Sequence, residues 1–278
     1  MEGQIVKIVS DMHYVAQDGS ITACKCRGKL RQGLVPLVGD YCIFDAEQEV
    51  IESILPRKNS FVRPAVANID QAILVTSLKN PDFSTNLLDK MLVIMETHRV
   101  KPIICYTKED IVSKVKRKEL REILKYYRKI GYTVVSNQNL WKLRRLLRKK
   151  TSVFTGQTGA GKSTLLNKLN PTWDLETGEV SIALGRGRHT TRVVELFPYL
   201  GGSVLDTPGF SSIEFEGVSK EEIRDSFIEF QKIHCPYDNC MHLKEAECLV
   251  KVAVDKGKIR NSRYENYEKI VRDVNKRK

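Results

Sequence analysis

Residues 151–163, TSVFTGQTGAGKS, constrain the fold more than any other stretch of this chain. The segment 151–155, with Val153 and Phe154 at its centre, reads as a short buried strand. It leads into Gly156, Gln157, Thr158, Gly159, Ala160, Gly161, Lys162 and Ser163, and residues 163–169 read as the opening of a helix. Strand, glycine-rich loop and helix together satisfy every fixed position of the G-x-x-x-x-G-K-[ST] pattern. The physics behind the pattern is specific: glycines let the backbone curl so that its N–H groups point inward at phosphate oxygens. The helix N-terminus adds partial positive charge. Lys162 reaches the β- and γ-phosphates, the Ser163 hydroxyl suits Mg²⁺, and Thr164 continues the cradle. An ordinary strand-to-helix turn is the competing reading, and the agreement of all three parts argues against it.

The companions of this loop stand in an unexpected order. Thr107-Lys108-Glu109-Asp110 follows a candidate strand at 101–106, about fifty residues before the loop. In the usual N-K-x-D base-reading motif, Asp pairs with the guanine N1 and N2 hydrogens, Lys packs over the base and Asn ties the motif to the phosphate loop. Lys108 and Asp110 fill two of these roles. Thr107 stands where Asn is usual, which leaves the tie open. A second candidate strand, 132–135, ends at Ser136-Asn137, where a base-contacting turn falls, with Asn137 in place of the usual Ala. Downstream, Asp206-Thr207-Pro208-Gly209 follows the apolar residues Val204 and Leu205. Asp206 is placed to hold the Mg²⁺ shell and the Gly209 N–H to bond a γ-phosphate, so this segment reads as a switch. Residues 185–192, GRGRHTTR, read as a mobile loop. Either Thr190 or Thr191 completes the Mg²⁺ shell, with Thr191 assigned to the ion and Thr190 to the nucleotide. His189 is a candidate for orienting the attacking water, against the plainer reading of a solvated loop histidine. The place often filled by a water-orienting Gln is Phe210, so hydrolysis by the free protein is expected to be slow.

The second strong pattern is Cys235, Cys240, His242 and Cys248, a C-x₄-C-x-H-x₅-C cluster. Three thiolates and an imidazole suit one closed, tetrahedral, structural Zn²⁺ site. His234 is a competing ligand beside Cys235. A disulfide reading leaves one of three clustered cysteines unpaired.

The order TKED, GQTGAGKST, GRGRHTTR, DTPGF and C-x₄-C-x-H-x₅-C resembles the circularly permuted GTPases of the ribosome small-subunit-dependent GTPase A (RsgA/YjeQ) family, over nearly the whole chain. The resemblance implies three domains: an N-terminal OB-fold at 1–66, a circularly permuted GTPase at 67–216 and a helical zinc-binding domain at 217–278. It also implies GTP hydrolysis with Mg²⁺, stimulated by the 30S subunit during its late assembly.

The flanks are read from their own patterns. Segments 4–9, 14–16, 20–24, 40–44 and 49–54 are five short candidate strands, with Asp18-Gly19 as a hairpin signal. A small β-barrel follows, of OB type or SH3-like. Residues 57–64 read as a linker. From residue 68 strand and helix alternate: a buried strand at 69–77, a helix capped by Ser84 with Leu87, Leu88, Met91, Leu92 and Met95 on one face, then helices near 115–130 and 138–149. This is the rhythm of an open α/β sheet. Helices near 219–231 and 261–274 frame the zinc cluster. The net charge of +12 gathers at 114–118, 144–150, Arg186, Arg188, Arg192 and 276–278, which favours a structured RNA partner; the resemblance implies that this is 16S rRNA within the 30S subunit. No stretch approaches the length of a bilayer span and no secretory signal is seen, so a cytoplasmic protein is expected, and a permuted factor that binds one ribosomal site is expected to be a monomer.

Overall fold

A computed structural model describes residues 1–28, 34–62, 64–173, 175, 194–206, 215 and 217–275. The first five strands, β1 (Glu2–Val9), β2 (Met12–Gln17), β3 (Ser20–Cys26), β4 (Tyr41–Asp45) and β5 (Val50–Ile54), close into a barrel in the order β1-β2-β3-β5-β4, with β4 returning to β1. Strands β3 and β5 run parallel while the other barrel pairs are antiparallel. That pairing settles the barrel as OB-like. Alternation does the work of closure: Ile5, Val15, Cys24, Cys42, Phe44 and Ile51 fill the interior. Asp18 and Gly19 both take positive φ, as a two-residue hairpin of this type requires.

The stretch read as a linker is pinned instead. Arg57 grips the buried Asp40 carboxylate through Nε at 2.7 Å and Nη2 at 2.6 Å. Asn59 and Asn68 cross-brace the backbone, and β6 (Ser60–Phe61) pairs with β7 (Val66–Ala67).

A six-stranded sheet follows, built from β8 (Gln71–Ser77), β9 (Lys101–Thr107), β10 (Thr133–Ser136), β11 (Thr151–Gly156), β12 (Leu196–Tyr199) and β13 (Gly202–Asp206). Its order is β10-β9-β8-β11-β13-β12, parallel throughout except for β12. Both faces are covered by helices α1 (Thr85–Thr97), α2 (Lys114–Ile130), α3 (Leu140–Leu147) and α4 (Lys162–Leu169), so the central strands are apolar on both sides. Ser84 caps α1 as expected, accepting from the Leu87 N–H, and Met91 and Met95 are core. Strand β12 was not read from the sequence. It is an edge strand whose Pro198 is tolerated because an edge needs donors on one side only.

The chain ends in α5 (Lys220–Asp225), α6 (Leu249–Asp255) and α7 (Asn261–Asn275). The expected helix to residue 231 stops at Asp225. Ser226 turns its hydroxyl back onto the Glu222 carbonyl at 2.7 Å, and Phe227 and Phe230 then stack in the core beneath. Among the described residues no helix is long and apolar enough to cross a membrane.

Candidate functional site: a phosphate loop tied to a base-side strand, and a Cys₃His cluster

Strand β11 lies where the sheet changes direction. Every sheet strand before it in sequence stands on one side, and β13 and β12 stand on the other. Such a switch point opens a crevice at the strand carboxyl ends, where α/β sheets bind ligands. The loop at 156–161 emerges there and runs into α4. Gly156 is required by close approach: a Cβ at that position would meet the Val75 carbonyl oxygen at 2.1 Å. Gln157, Thr158 and Gly159 are exposed, Ala160 is buried, and Lys162, Ser163 and Thr164 form the first turn of α4.

The base-side strand is bonded directly to this loop. Thr107, 1 % exposed at the end of β9, donates its hydroxyl to the Ala160 carbonyl at 2.6 Å. The Lys108 ammonium donates to the Gly159 carbonyl at 2.7 Å and also to the carbonyl of Asn80. The tie that the Thr-for-Asn change left open is thus made by the shorter side chain. Asp110 stands exposed two residues on. On the neighbouring strand, Ser136 pairs in register with Tyr106, and the Asn137 N–H donates to the Tyr106 carbonyl at 3.0 Å. The two base-side turns therefore sit side by side. Asn80 and Pro81 were not singled out from the sequence. The Asn-Pro pair directly after a buried strand was the available signal, and Pro81 backs the loop within 3.7 Å of where a Gly159 Cβ would lie.

Asp206 ends β13, with its backbone paired to Phe154 of β11, which brings that residue to the same edge of the sheet as the loop. His189, Thr190, Thr191, Gly209 and Phe210, with Arg186, Arg188 and Arg192, lie outside the described residues, as do residues 276–278.

The second centre gathers Cys235, Cys240, His242 and Cys248, whose ligand atoms all lie within 4.8 Å of one another. Cys235 Sγ is 3.6 Å from His242 Nδ1 and 3.9 Å from Cys248 Sγ, and Cys248 Sγ is 3.4 Å from the same nitrogen. A tetrahedral zinc with bonds of about 2.3 Å to sulfur and about 2.0 Å to nitrogen sets ligand-to-ligand edges of roughly 3.5–3.8 Å. The donor set fits that ion. Exposed His234 is not part of the cluster. Burial, reinforced by nearby Arg224, holds the His242 imidazole below its ordinary pKa, which favours the neutral, ligating form. The Tyr264 hydroxyl fixes the His242 carbonyl at 2.6 Å. Glu245, unnoticed in the sequence, accepts from the backbone N–H groups of Met241, Leu243 and Lys244 at 2.8–3.0 Å. Burial alone would raise its carboxyl, but those bonds outweigh it and hold it below the usual range.

Residues 54–216 match the family model described as RsgA GTPase, and residues 2–51 match the RsgA N-terminal domain. The small ribosomal subunit biogenesis GTPase RsgA of Bacillus velezensis is 42% identical over 291 aligned positions, covering 100% of this chain and 98% of that protein. Two solved structures superpose closely. One is YloQ, described as a circularly permuted GTPase, with TM-score 0.85, 36% identity and coverage of 100% and 96%. The other is YjeQ from Thermotoga maritima, with TM-score 0.85, 35% identity and coverage of 98% and 97%. With its phosphate-loop strand following the base-side strands in sequence yet sharing one sheet with them, this chain belongs to the RsgA family of circularly permuted GTPases.

Proposed function

We propose that this GTPase acts in small ribosomal subunit assembly, binding the 30S subunit through 16S rRNA and leaving it after GTP hydrolysis. The observation that carries the nucleotide half of this reading is the bond from Thr107 to Ala160. It makes the base-side turn and the phosphate loop one rigid unit, so base identity and phosphate state are read together. In this reading Lys108 packs on the base, Asp110 pairs with its N1 and N2 hydrogens, and Ser136 closes the base side. The loop from Gly156 to Ser163 and Thr164 cradles the phosphates. Ser163 and Asp206, with Thr191, would hold Mg²⁺, which supplies charge neutralisation on the β- and γ-phosphates. Thr190 and Gly209 would contact the γ-phosphate. His189 is the candidate for positioning water, since Phe210 has no group to do so. The Cys₃His cluster would hold one structural zinc. We divide the chain at about residues 66 and 216 into barrel, GTPase and zinc-binding units, and take the working form to be a cytoplasmic monomer.

The relatives' names support the ribosomal role, and the +12 net charge supports a polyanionic partner. Steady-state hydrolysis of GTP and ATP, each with and without purified 30S subunits, tests it. Slow, GTP-specific turnover that rises strongly with 30S is the expected outcome. ATP turnover, or GTP turnover indifferent to the subunit, removes the reading. His189→Ala is expected to lower the stimulated rate by roughly 10²-fold or more. An unchanged stimulated rate would clear His189 of that role.

A further inference from the structure

Two helices of the GTPase half carry strong positive charge, and the structure separates them. On α2 the charge is answered locally: Lys116 pairs with Glu119 at 2.9 Å, Lys125 with Glu122 at 3.7 Å and Arg121 with Glu109 at 2.6 Å. The α3 segment differs. Lys142, Arg144, Arg145, Arg148, Lys149 and Lys150 have no carboxylate partner among the described residues, and the sequence holds no Asp or Glu between Glu122 and Asp174. All but Lys142 are exposed. Only Leu143 and Leu147 of α3 are fully buried against the sheet.

Amid these cations stands Trp141, 70 % exposed, with the Arg145 guanidinium 5.7 Å from its ring centroid. A tryptophan one residue into an amphipathic helix, turned to solvent and flanked by unpaired cations, contributes little to the core. Its open ring face and the adjoining charges are what a single-stranded nucleic-acid segment needs: stacking for a base and cations for the phosphates on either side. Arg144 reaches the Lys168 and Leu169 carbonyls at 3.5 Å, so the patch also borders the end of the phosphate-loop helix.

We propose that α3 is an RNA-contact face, with an unpaired base stacking on Trp141 and Arg145, Arg148 and Lys149 holding its flanking phosphates. RNA suits the patch better than a lipid surface. Trp141 is the one large exposed apolar side chain on an eight-residue helix, too little apolar area to anchor in a bilayer. It also suits the patch better than an acidic protein, which would match the charge and leave the ring unused. The inference rests on the ribosomal reading above and adds a contact on the GTPase half to it.

The test uses the full chain with a non-hydrolysable GTP analogue. Wild type, Trp141→Ala, Trp141→Phe and the triple variant Arg145→Ala/Arg148→Ala/Lys149→Ala are compared by co-sedimentation with 30S subunits and by filter binding to protein-free 16S rRNA. Since these side chains lie on the surface, GDP affinity and melting temperature should match wild type. Trp141→Ala and the triple variant should each bind both targets roughly tenfold or more weakly, while Trp141→Phe keeps most of the affinity. The triple variant should also lower the slope of log affinity against log salt by about 2. Variants that bind 30S as tightly as wild type overturn the α3 face and leave the ribosomal reading intact. Loss on 30S without loss on protein-free rRNA overturns the RNA assignment in favour of a ribosomal protein. A wild-type chain that does not sediment with 30S at all removes the ribosomal reading and this face with it.

Discussion

At the scale of single residues, Thr107 shows how a departure from a familiar motif can preserve its physics. The motif needs a short polar side chain at the end of the base-side strand that bonds the phosphate loop. Asn usually supplies it, and here a hydroxyl does so at 2.6 Å from a buried carbonyl. Thr107→Val keeps the shape and removes the donor. The Ala160 carbonyl is then left without that partner in a buried place, a change that costs about 1–3 kcal/mol. The loop and the base-side turn lose their coupling, so GDP affinity should fall roughly tenfold at saturating Mg²⁺. Thr107→Ser, which keeps the hydroxyl, should recover most of it. Titration with a fluorescent GDP analogue checks both, and equal affinity in Thr107→Val and wild type would show that the bond is incidental.

At the scale of elements, the Cys₃His loop is braced by one carboxylate as well as by its four candidate ligands. Glu245 organises three N–H groups on either side of His242, those of Met241, Leu243 and Lys244, and outer partners of this kind commonly matter 10–100-fold in metal affinity. Glu245→Ala should therefore weaken zinc binding by at least tenfold in competition with a chromogenic chelator. Because the folded state lowers the Glu245 pKa, its contribution is fully present above the ordinary value near 4.5 and is lost as pH falls through the lower folded value. The contrast between Glu245 and the ligands also marks what the sequence discloses. Phosphate loop, Cys₃His spacing and barrel alternation were legible because each is a local pattern with fixed spacing. The barrel's parallel β3–β5 pairing, the bracing at 57–68 and the Thr107 bond were not, because each joins residues whose proximity only the folded chain creates. Short α6 and the early end of α5 escaped for a related reason: with six or seven residues, periodicity has too few turns to speak, and side-chain contacts set the ends.

At the scale of the whole molecule, polar contacts among the described residues help bind the parts together. The barrel meets the edge of the GTPase sheet through an antiparallel bridge between Lys7 and Glu195, whose side chains pair at 2.8 Å. The Cys₃His-bearing end is joined to the GTPase helices by a buried ion network. Arg263 of α7, 1 % exposed, reaches Asp89 of α1 at 2.6 Å and grips Glu229 through two nitrogens at 2.8 and 2.9 Å, with its guanidinium over the Phe227 ring. The Tyr127 hydroxyl and Asn266 complete the coordination of Asp89. One buried cation thus answers two carboxylates. Burial drives the Asp89 carboxyl above its ordinary range, and attraction to Arg263 is the largest opposing influence. Arg263→Met keeps the volume and the ring contact while stranding both acids, and breaking a buried pair in this way costs about 3–5 kcal/mol. The sign with pH follows. Without the cation the Asp89 carboxyl rises further, the folded state binds more protons than the unfolded chain, and stability falls as pH rises. The deficit should therefore be larger at pH 8 than at pH 5. Calorimetry of the zinc-loaded chain gives a second readout. With Arg263 in place the Cys₃His-bearing end and the GTPase sheet should melt in one transition, and with Met there the Cys₃His-bearing end should melt first, as a separate peak at lower temperature. A single peak in the variant, shifted equally at both pH values, would mean that the apolar packing around Phe227 and Tyr267 joins the two parts and that the ion network merely occupies the seam.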